Sequence, residues 1–419
     1  MRDFLPGDKA HRERVLGLIR DTYTRHGFDE IETPVMEESS RLHAGLGGDN
    51  EKLAFGVLKR GLTAEQFQNA TEPLDLTDLG LRFDLTVPLT RFYASHHAAL
   101  PGVFRAIQIA PVWRAERPQK GRYRQFMQCD IDIIGEAGVL AEVELLTATV
   151  DVLGRLGLDT ARLRINDRRL LTSMLTVLGF PVKEHASILI TIDKLDKIGV
   201  SGVIEELRDR VIPAGPVDAL EAFFNRPVTL EHLSFGERAI RKLLPEGVDD
   251  VAVAELAALG AALPDNVRAL LDFDPFLVRG MGYYTGTIME IAHPELGYAL
   301  GGGGRYDGMV GRFLGSDVPA VGMSLGFERI VDLVAVETGQ TDATALLYDA
   351  TVPAAQLAEL KSAFIAGGAR VRLERRPKKV AALLDSLAAS GFTRFAFVTP
   401  DSTADTLEFK PLSAPAQTP

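Results

Sequence analysis

The sequence predicts an α+β protein: an antiparallel sheet flanked by helices, a mostly helical insertion, and a small C-terminal α/β domain. Strand-like segments gather between residues 81 and 135 and return at "VRGMGYYTGTIMEIA" and "YALGGGGRYD". Between them, residues 165 to 265 carry helical runs such as "DALEAFF" and "VAVAELAALGAAL". Beyond residue 345, strand and helix signals alternate.

Taken in order, Val15, Leu18, Ile19, Thr22 and Tyr23 recur at i, i+3, i+4 spacing within residues 9 to 26, and Gly27 ends the run. That is an amphipathic helix. "FDEIETPVME" then reads as a strand interrupted at Pro34, which cannot donate to a ladder. "LRFDLTVPL" reads as a further strand, and "VFRAIQIAPVWRAE" and "QFMQCDIDIIG" as a long antiparallel hairpin around a basic segment. Within the helical insertion only "SILITI" carries a β signal. "VETGQTDATA", residues 336 to 345, reads as a linker, and "ALLYDATV", a helix, "ARVRLER", a second helix and "RFAFVTP" follow it. The expected domains are 1–165 with 266–335, the insertion 166–265, and an α/β domain 345–411; the tail 412–419, "LSAPAQTP", is expected to be disordered.

Composition narrows the function classes. The 419 residues, 46% hydrophobic and 25% charged, allow two or three domains with a large core. A net charge of -11 argues against binding nucleic acid through overall charge, so any polyanion must be met at local basic patches. The single Cys129 excludes an intramolecular disulfide and a multi-cysteine zinc site, as suits a reducing cytosol. The eight histidines show no H-x-x-x-H pairing, so no metal set is identified. Without an apolar signal core or an apolar run of about 18 residues, no membrane span is expected and the protein reads as cytoplasmic.

The basic segment "WRAERPQKGRYRQF", residues 113 to 126, is the local exception, with five cationic side chains against Glu116. Strand alternation puts Phe126, Gln128, Asp130 and Asp132 on one face, and Met127, Cys129, Ile131 and Ile133 on the other. The second set belongs to a core. The first cannot be buried against apolar partners without large cost, so it lines a cleft. Arg114 and Glu116 share a face of the opposing strand; cross-strand ion pairing is one reading of them. The other is a nucleotide site, in which a base stacks on Phe126 while Arg114 and Arg122 meet phosphates through bidentate forks.

These stretches resemble a known family. "VWRAERPQKGRYRQFMQCDIDIIG" is similar to motif 2 of the class II aminoacyl-tRNA synthetases, in the form seen in histidyl-tRNA synthetases. "GFDEIETPVME" resembles motif 1, "LRFDLTVPLTR" the amino-acid-binding segment, "LVRGMGYYTGTIMEI" and "GGGGRYDGMV" the two histidine-specific motifs, and "PAVGMSLGFERI" motif 3. With the two histidine-specific stretches counted as one, five matches in order span roughly residues 27 to 330.

The resemblance implies the class II antiparallel sheet, ATP with Mg²⁺, L-histidine and histidine tRNA as ligands, and a homodimer through motif 1. It implies that Arg114 and Arg279 act at the α-phosphate, Glu116 reads the adenine edge, Phe126 stacks on adenine, Arg122 reaches the terminal phosphates, and Arg329 covers the base. For histidine it implies Asp84, Thr86 and Gln128 at the α-ammonium, and Asp132 and Tyr284, beside Tyr283, at the imidazole, with Arg279 alongside and Gly302, Gly303 and Gly304 as a wall. Arg117, Gln119 and Lys120 would meet the tRNA acceptor end. On their own residue types, Arg329 also fits a solvated helix, Asp84 a turn and Tyr284 a core. Gly282 stands where many members carry Asp, Met127 where His or an aromatic is common, and Asp84 and Asp132 where many bacterial members carry Glu. The C-terminal cluster Arg370, Arg372, Arg375, Arg376, Lys378 and Lys379 reads either as an RNA contact or as a solvated face. An alternative function is a non-catalytic, synthetase-like regulatory subunit of the phosphoribosyltransferase of histidine biosynthesis, which needs a histidine pocket but no ATP clamp.

Overall fold

Two ten-residue strands lie within the central sheet of the computed structural model, which describes residues 1–43, 53–117, 121–210, 212–226, 235–279, 282–335 and 342–412. The chain divides into one unit built from Leu16–Val334 and a second from Arg2–Val15 with Ala335 onward. In chain order, the strands of the first unit are β1 (Asp29–Glu30), β2 (Met36–Glu38), β3 (Phe55–Leu58), β4 (Thr77–Leu81), β5 (Phe104–Trp113) and β6 (Gln125–Ile134). They continue as β7 (Arg162–Asp167), β8 (Leu271–Phe273), β9 (Thr287–Ala292), β10 (Gly301–Arg305) and β11 (Ala320–Gly326).

Eight of these form one sheet in the order β1-β5-β6-β11-β10-β9-β7-β8. Its interior is antiparallel throughout, and only the edge pairs β1/β5 and β7/β8 run parallel. The expected hairpin is present as β5 and β6, paired from Phe104 opposite Ile134 to Trp113 opposite Gln125. Helix Leu140–Arg155 packs on this sheet with Leu145, Leu146 and Ala148 fully buried. A two-pronged ion pair joins them, Arg305 of β10 donating to both Glu142 oxygens at 2.8 and 2.7 Å.

Three sequence expectations change. "LRFDLTVPL" is not one strand: β4 ends at Leu81 and a helix runs over Thr86–His96, because the Asp84 carboxylate accepts from Val87 N–H and turns the chain into helix. "SILITI" lies in helix His185–Ile192, whose buried Ile188, Leu189 and Ile192 follow helical spacing that a short apolar run conceals. The segment read as a linker already contains strand from Ala343, while its residues 336 to 341 lie outside the described residues, as do 413 to 419 of the tail. Between Arg168 and Ala262 the described chain is helical.

In the second unit, β12 (Ala343–Tyr348), β13 (Arg370–Arg375), β14 (Arg394–Val398) and β15 (Lys410–Pro411) form a sheet in the order β13-β12-β14-β15. Alternation on β12 divides two cores: Ala343, Ala345 and Leu347 pack with Leu387, Phe392 and Phe395, and Leu346 with Leu357, Leu360 and Ala396. Helices Ala354–Ala366 and Ala381–Ala389 supply their other halves.

Candidate active site

Strand β6 sets the axis of the site. Phe126, Gln128, Asp130 and Asp132 all line one cleft of about 790 Å³, while Cys129, Ile131 and Ile133 between them are fully buried on the opposite face. At roughly 3.3 Å per residue, Phe126 and Asp132 stand about 20 Å apart along the strand, so the cleft has two ends.

The Asp132 end is built from carboxylates. Asp84 is carried by the loop between β4 and the Thr86–His96 helix, and that loop is fastened from inside the protein. Arg82 donates to the carbonyls of Thr33 (2.7 Å) and Pro111 (3.0 Å), and Gln108 donates to Leu85 O at 3.0 Å. Asp132 accepts a 2.5 Å hydrogen bond from the Tyr306 hydroxyl. Gln128 donates through Nε2 to Ser324 Oγ at 3.2 Å on the neighbouring strand β11. Burial, opposed by the Val87 hydrogen bond and the Arg114 charge, lifts Asp84 to about 6. Burial, opposed by the Tyr306 hydrogen bond and reinforced by the Asp84 charge, lifts Asp132 to about 7.

A carboxyl whose folded pKa is raised contributes stability that is complete below its unfolded value and is lost as pH rises through the folded value. For Asp132 that window runs from 3.8 to about 7. Asp132→Asn removes this loss and keeps an acceptor for Tyr306. The ligand-free variant is therefore expected to gain melting temperature on the wild type as pH goes from 5 to 8, by an amount corresponding to ~3 kcal/mol. Parallel melting curves across that range would contradict the assignment.

The Phe126 end is built from guanidinium groups. Arg114 lies 5.1 Å from the Phe126 ring centre and donates through Nε to Phe83 O at 2.9 Å. Arg122 stands 3.6 Å from the Glu116 carboxylate. Arg329 donates to Ala299 O and, at 3.4 Å, to Gly121 O, with its guanidinium 5.2 Å from the Tyr298 ring centre. Burial first, then the charges of Arg122 and Arg279, push the Arg329 pKa down. Mutually repelling guanidinium groups held in one cleft form a site that an anion relieves. Arg279 donates to Glu290 Oε2 at 2.8 Å, and Arg164 donates to the other Glu290 oxygen at 3.0 Å.

All the candidate nucleotide and amino-acid residues line this one cleft, and so do the three glycines. Arg117 is exposed and off its wall. Gln119 and Lys120 lie outside the described residues. The glycines of β10 make room both for the backbone of the neighbouring strands and for protein side chains that shape the site. A Cβ on Gly302 would stand 2.6 Å from the Arg279 guanidinium carbon, and one on Gly304 would stand 2.8 Å from the Tyr284 ring. Sequence reading did not single out Tyr306, Ser324, Glu290, Arg82 or Gln108. Tyr306 and Arg82 sit inside quoted motifs, but their roles depend on partners 174 residues away in the first case and 49 and 29 in the second.

In the second unit the basic cluster is partly committed. Arg370 and Arg372 lie 4.5 and 4.8 Å from the Phe392 ring centre, and Arg376 lies 4.5 Å from that of Phe397. Arg375, Arg376, Lys378 and Lys379 are exposed.

A family model described as Histidyl-tRNA synthetase matches residues 1–330. The chain is 57% identical to a histidine–tRNA ligase of Leifsonia xyli subsp. xyli, covering 99% of this chain and 97% of that one. It is 43% identical to a probable histidine–tRNA ligase of Tropheryma whipplei, over 97% of this chain and 96% of the other. Among solved structures, a histidyl-tRNA synthetase from Nostoc sp. PCC 7120 superposes with a TM-score of 0.76 at 23% identity, covering 98% and 93% of the two chains. An ATP phosphoribosyltransferase regulatory subunit/histidyl-tRNA synthetase from Bacillus halodurans C gives 0.73 at 22% identity, covering 92% and 94%. At such identities these two structures speak for the fold alone. With a family model matched over most of its length and a 57% identical relative aligned almost end to end, this chain belongs to the histidyl-tRNA synthetases, a family of aminoacyl-tRNA synthetase enzymes.

Proposed function

We propose that the cleft joins L-histidine to ATP, forming histidyl-adenylate and pyrophosphate, and then passes the histidyl group to the 3′ end of histidine tRNA. One observation carries this reading: a single cleft has a guanidinium-rich end and a carboxylate-rich end, as a triphosphate and a cationic amino acid together require. In the first step a histidine carboxylate oxygen attacks the α-phosphorus and the bond to the β-phosphate breaks. Charge grows on the α-phosphate oxygens, where Arg114 and Arg279 act. Because Glu290 and Phe83 O already hold them in place, they stabilise that charge with little reorganisation. Phe126 stacks on adenine, Glu116 reads its edge, Arg329 covers the base and Arg122 meets the terminal phosphates. In the second step a hydroxyl of the tRNA's terminal ribose attacks the activated carbonyl and AMP leaves.

Mg²⁺ bound with the nucleotide would supply charge neutralisation at the phosphates in this scheme. No group of three or more His, Cys, Asp or Glu suited to holding a metal ion occurs among the described residues. That fits an ion carried mainly by phosphates and needing only one or two protein carboxylates, and Glu328, on the cleft wall, is the residue proposed to hold it. Arg117, Gln119 and Lys120 are proposed to meet the acceptor end of tRNA, and the domain 345–411 to bind the anticodon through its exposed cations. A discontinuous catalytic domain, with 166–265 as its insertion, a homodimer and a cytoplasmic location complete the proposal. No described helix is long and apolar enough to cross a membrane. The regulatory-subunit reading is not favoured: the relative at 57% identity carries the name of the ligase, and the full set of nucleotide-facing arginines lines the cleft.

At the imidazole, Asp132 accepts from one ring nitrogen and Tyr284 bonds the other, which rejects side chains lacking either group. Asp132→Asn keeps the size and removes the charge. Losing a charge-assisted hydrogen bond costs about 1.5 to 3 kcal/mol, so kcat/KM for histidine in pyrophosphate exchange is expected to fall about 10- to 150-fold with ATP affinity unchanged. Wild-type kcat/KM in the folded variant would remove Asp132 from the pocket's chemistry.

A further inference from the structure

We infer that Asp130 is a ligand of the substrate's α-ammonium group, completing a three-acceptor cradle with Asp84 and Gln128. The inference rests on the reading of this cleft as the histidine pocket.

Six buried side-chain polar atoms of the described residues have no hydrogen-bond partner. Three of them, Asp84 Oδ2, Gln128 Oε1 and Asp130 Oδ1, belong to residues lining this cleft, and all three are acceptors. An ammonium group has three N–H donors. Asp84 and Gln128 are each tied down by one polar atom while the other stays open. Asp84 accepts from Val87 N–H on Oδ1, and Gln128 donates its amide N–H to Ser324, leaving its Oε1 without a partner. Asp130 faces Ser324 across the β6/β11 ladder, and a hydrogen bond with that side chain is one of the influences on its ionisation. Ser324 Oγ thus accepts a hydrogen bond from Gln128 and can donate its own hydroxyl hydrogen to Asp130, which orders both residues around one hydroxyl.

An aspartate serving only the fold would use both oxygens, because an open acceptor on a 4% exposed carboxyl carries an unrecovered desolvation cost. The charges facing Asp130 point the same way. Asp132 on its own strand, Asp84 from the preceding loop, and the hydroxyls of Tyr23, Tyr284 and Tyr306 surround it, and Arg114 is the cation set against them. Burial first, and then the Asp132 charge, push the Asp130 carboxyl well above the usual range. A substrate cation placed beside Asp130 would offset that cost.

The test uses full-length, nucleotide-free enzyme and two ligands, L-histidine and 3-(imidazol-4-yl)propionate, which lacks only the ammonium group. Binding is measured by calorimetry, directly for histidine and by competition for the analogue. Asp130→Asn is expected to weaken histidine about 10- to 150-fold and the analogue less than about threefold. Equal losses for both ligands, or unchanged histidine binding, would overturn the proposal. Asp130→Ala is run beside it, and if it fails to fold the near-isosteric Asn variant decides. Asp132→Asn separates this inference from the reading beneath it: as an imidazole partner, Asp132 should cost both ligands equally. If Asp132→Asn spares both ligands while Asp130→Asn acts on histidine alone, the imidazole assignment fails and Asp130 stands. The reverse pattern removes Asp130 only.

Discussion

Arg279→Ala is expected to lower histidine-dependent pyrophosphate exchange by about 10²- to 10³-fold while leaving histidine affinity nearly unchanged. In the proposed reaction the guanidinium acts where charge grows only as the α-phosphate is attacked, so its removal should appear in the rate and hardly in ground-state binding. The structure explains why the fold should survive. Glu290, which accepts from Arg279 at 2.8 Å, also accepts from Arg164 at 3.0 Å, so the deletion does not strand a buried carboxylate. Arg279→Lys is not expected to rescue: a point charge on a different stem cannot span from Glu290 to a phosphate as a planar fork does. Isothermal titration with histidine, alongside exchange kinetics at saturating ATP, checks both halves. Near-normal exchange in a folded variant would take Arg279 out of the mechanism, and an equal loss in affinity would make it a binding residue instead.

Gly303→Ala is expected to cost more than about 4 kcal/mol and to leave little soluble protein. A Cβ there would stand 1.9 Å from the carbonyl oxygen of Gly322 and 2.8 Å from Met323 Cα, both backbone atoms of the paired strand β11. A flexible side chain can rotate away from such a contact, but a strand in mid-sheet cannot move without breaking the β10/β11 ladder that carries the site's floor. Gly282→Ala is the matched control, since a Cβ there meets nothing within 4 Å. Expression yield and chemical denaturation of the two variants test the contrast. Equal stability would mean that the glycine run is not constrained by strand approach.

The same contrast marks how far sequence reading reached. The β5/β6 hairpin was legible because alternation is local: once Cys129, Ile131 and Ile133 are assigned to the core, Gln128, Asp130 and Asp132 must face the other way. Helix Pro6–Arg25 and the alternating C-terminal unit were legible for the same reason. "SILITI" failed because four apolar residues in a six-residue stretch fit two periodicities, and packing within the helical segment chose between them. "LRFDLTVPL" failed because one side-chain hydrogen bond, from Val87 N–H to Asp84, outweighs strand propensity.

By itself, then, the sequence determined the β5/β6 hairpin, the polar face of β6, the family, and a set of nucleotide and amino-acid candidates that meet in the cleft. Only the tertiary structure decided which of their atoms are already engaged. Tyr306 reaches Asp132 across 174 residues, Ser324 holds the Gln128 amide across 196, and Gly302 leaves space for Arg279 of the loop before β9. Periodicity is set by a residue's nearest neighbours along the chain, and so it can be read there. A hydrogen bond between distant strands depends on register and close packing, which exist only once the whole sheet has assembled.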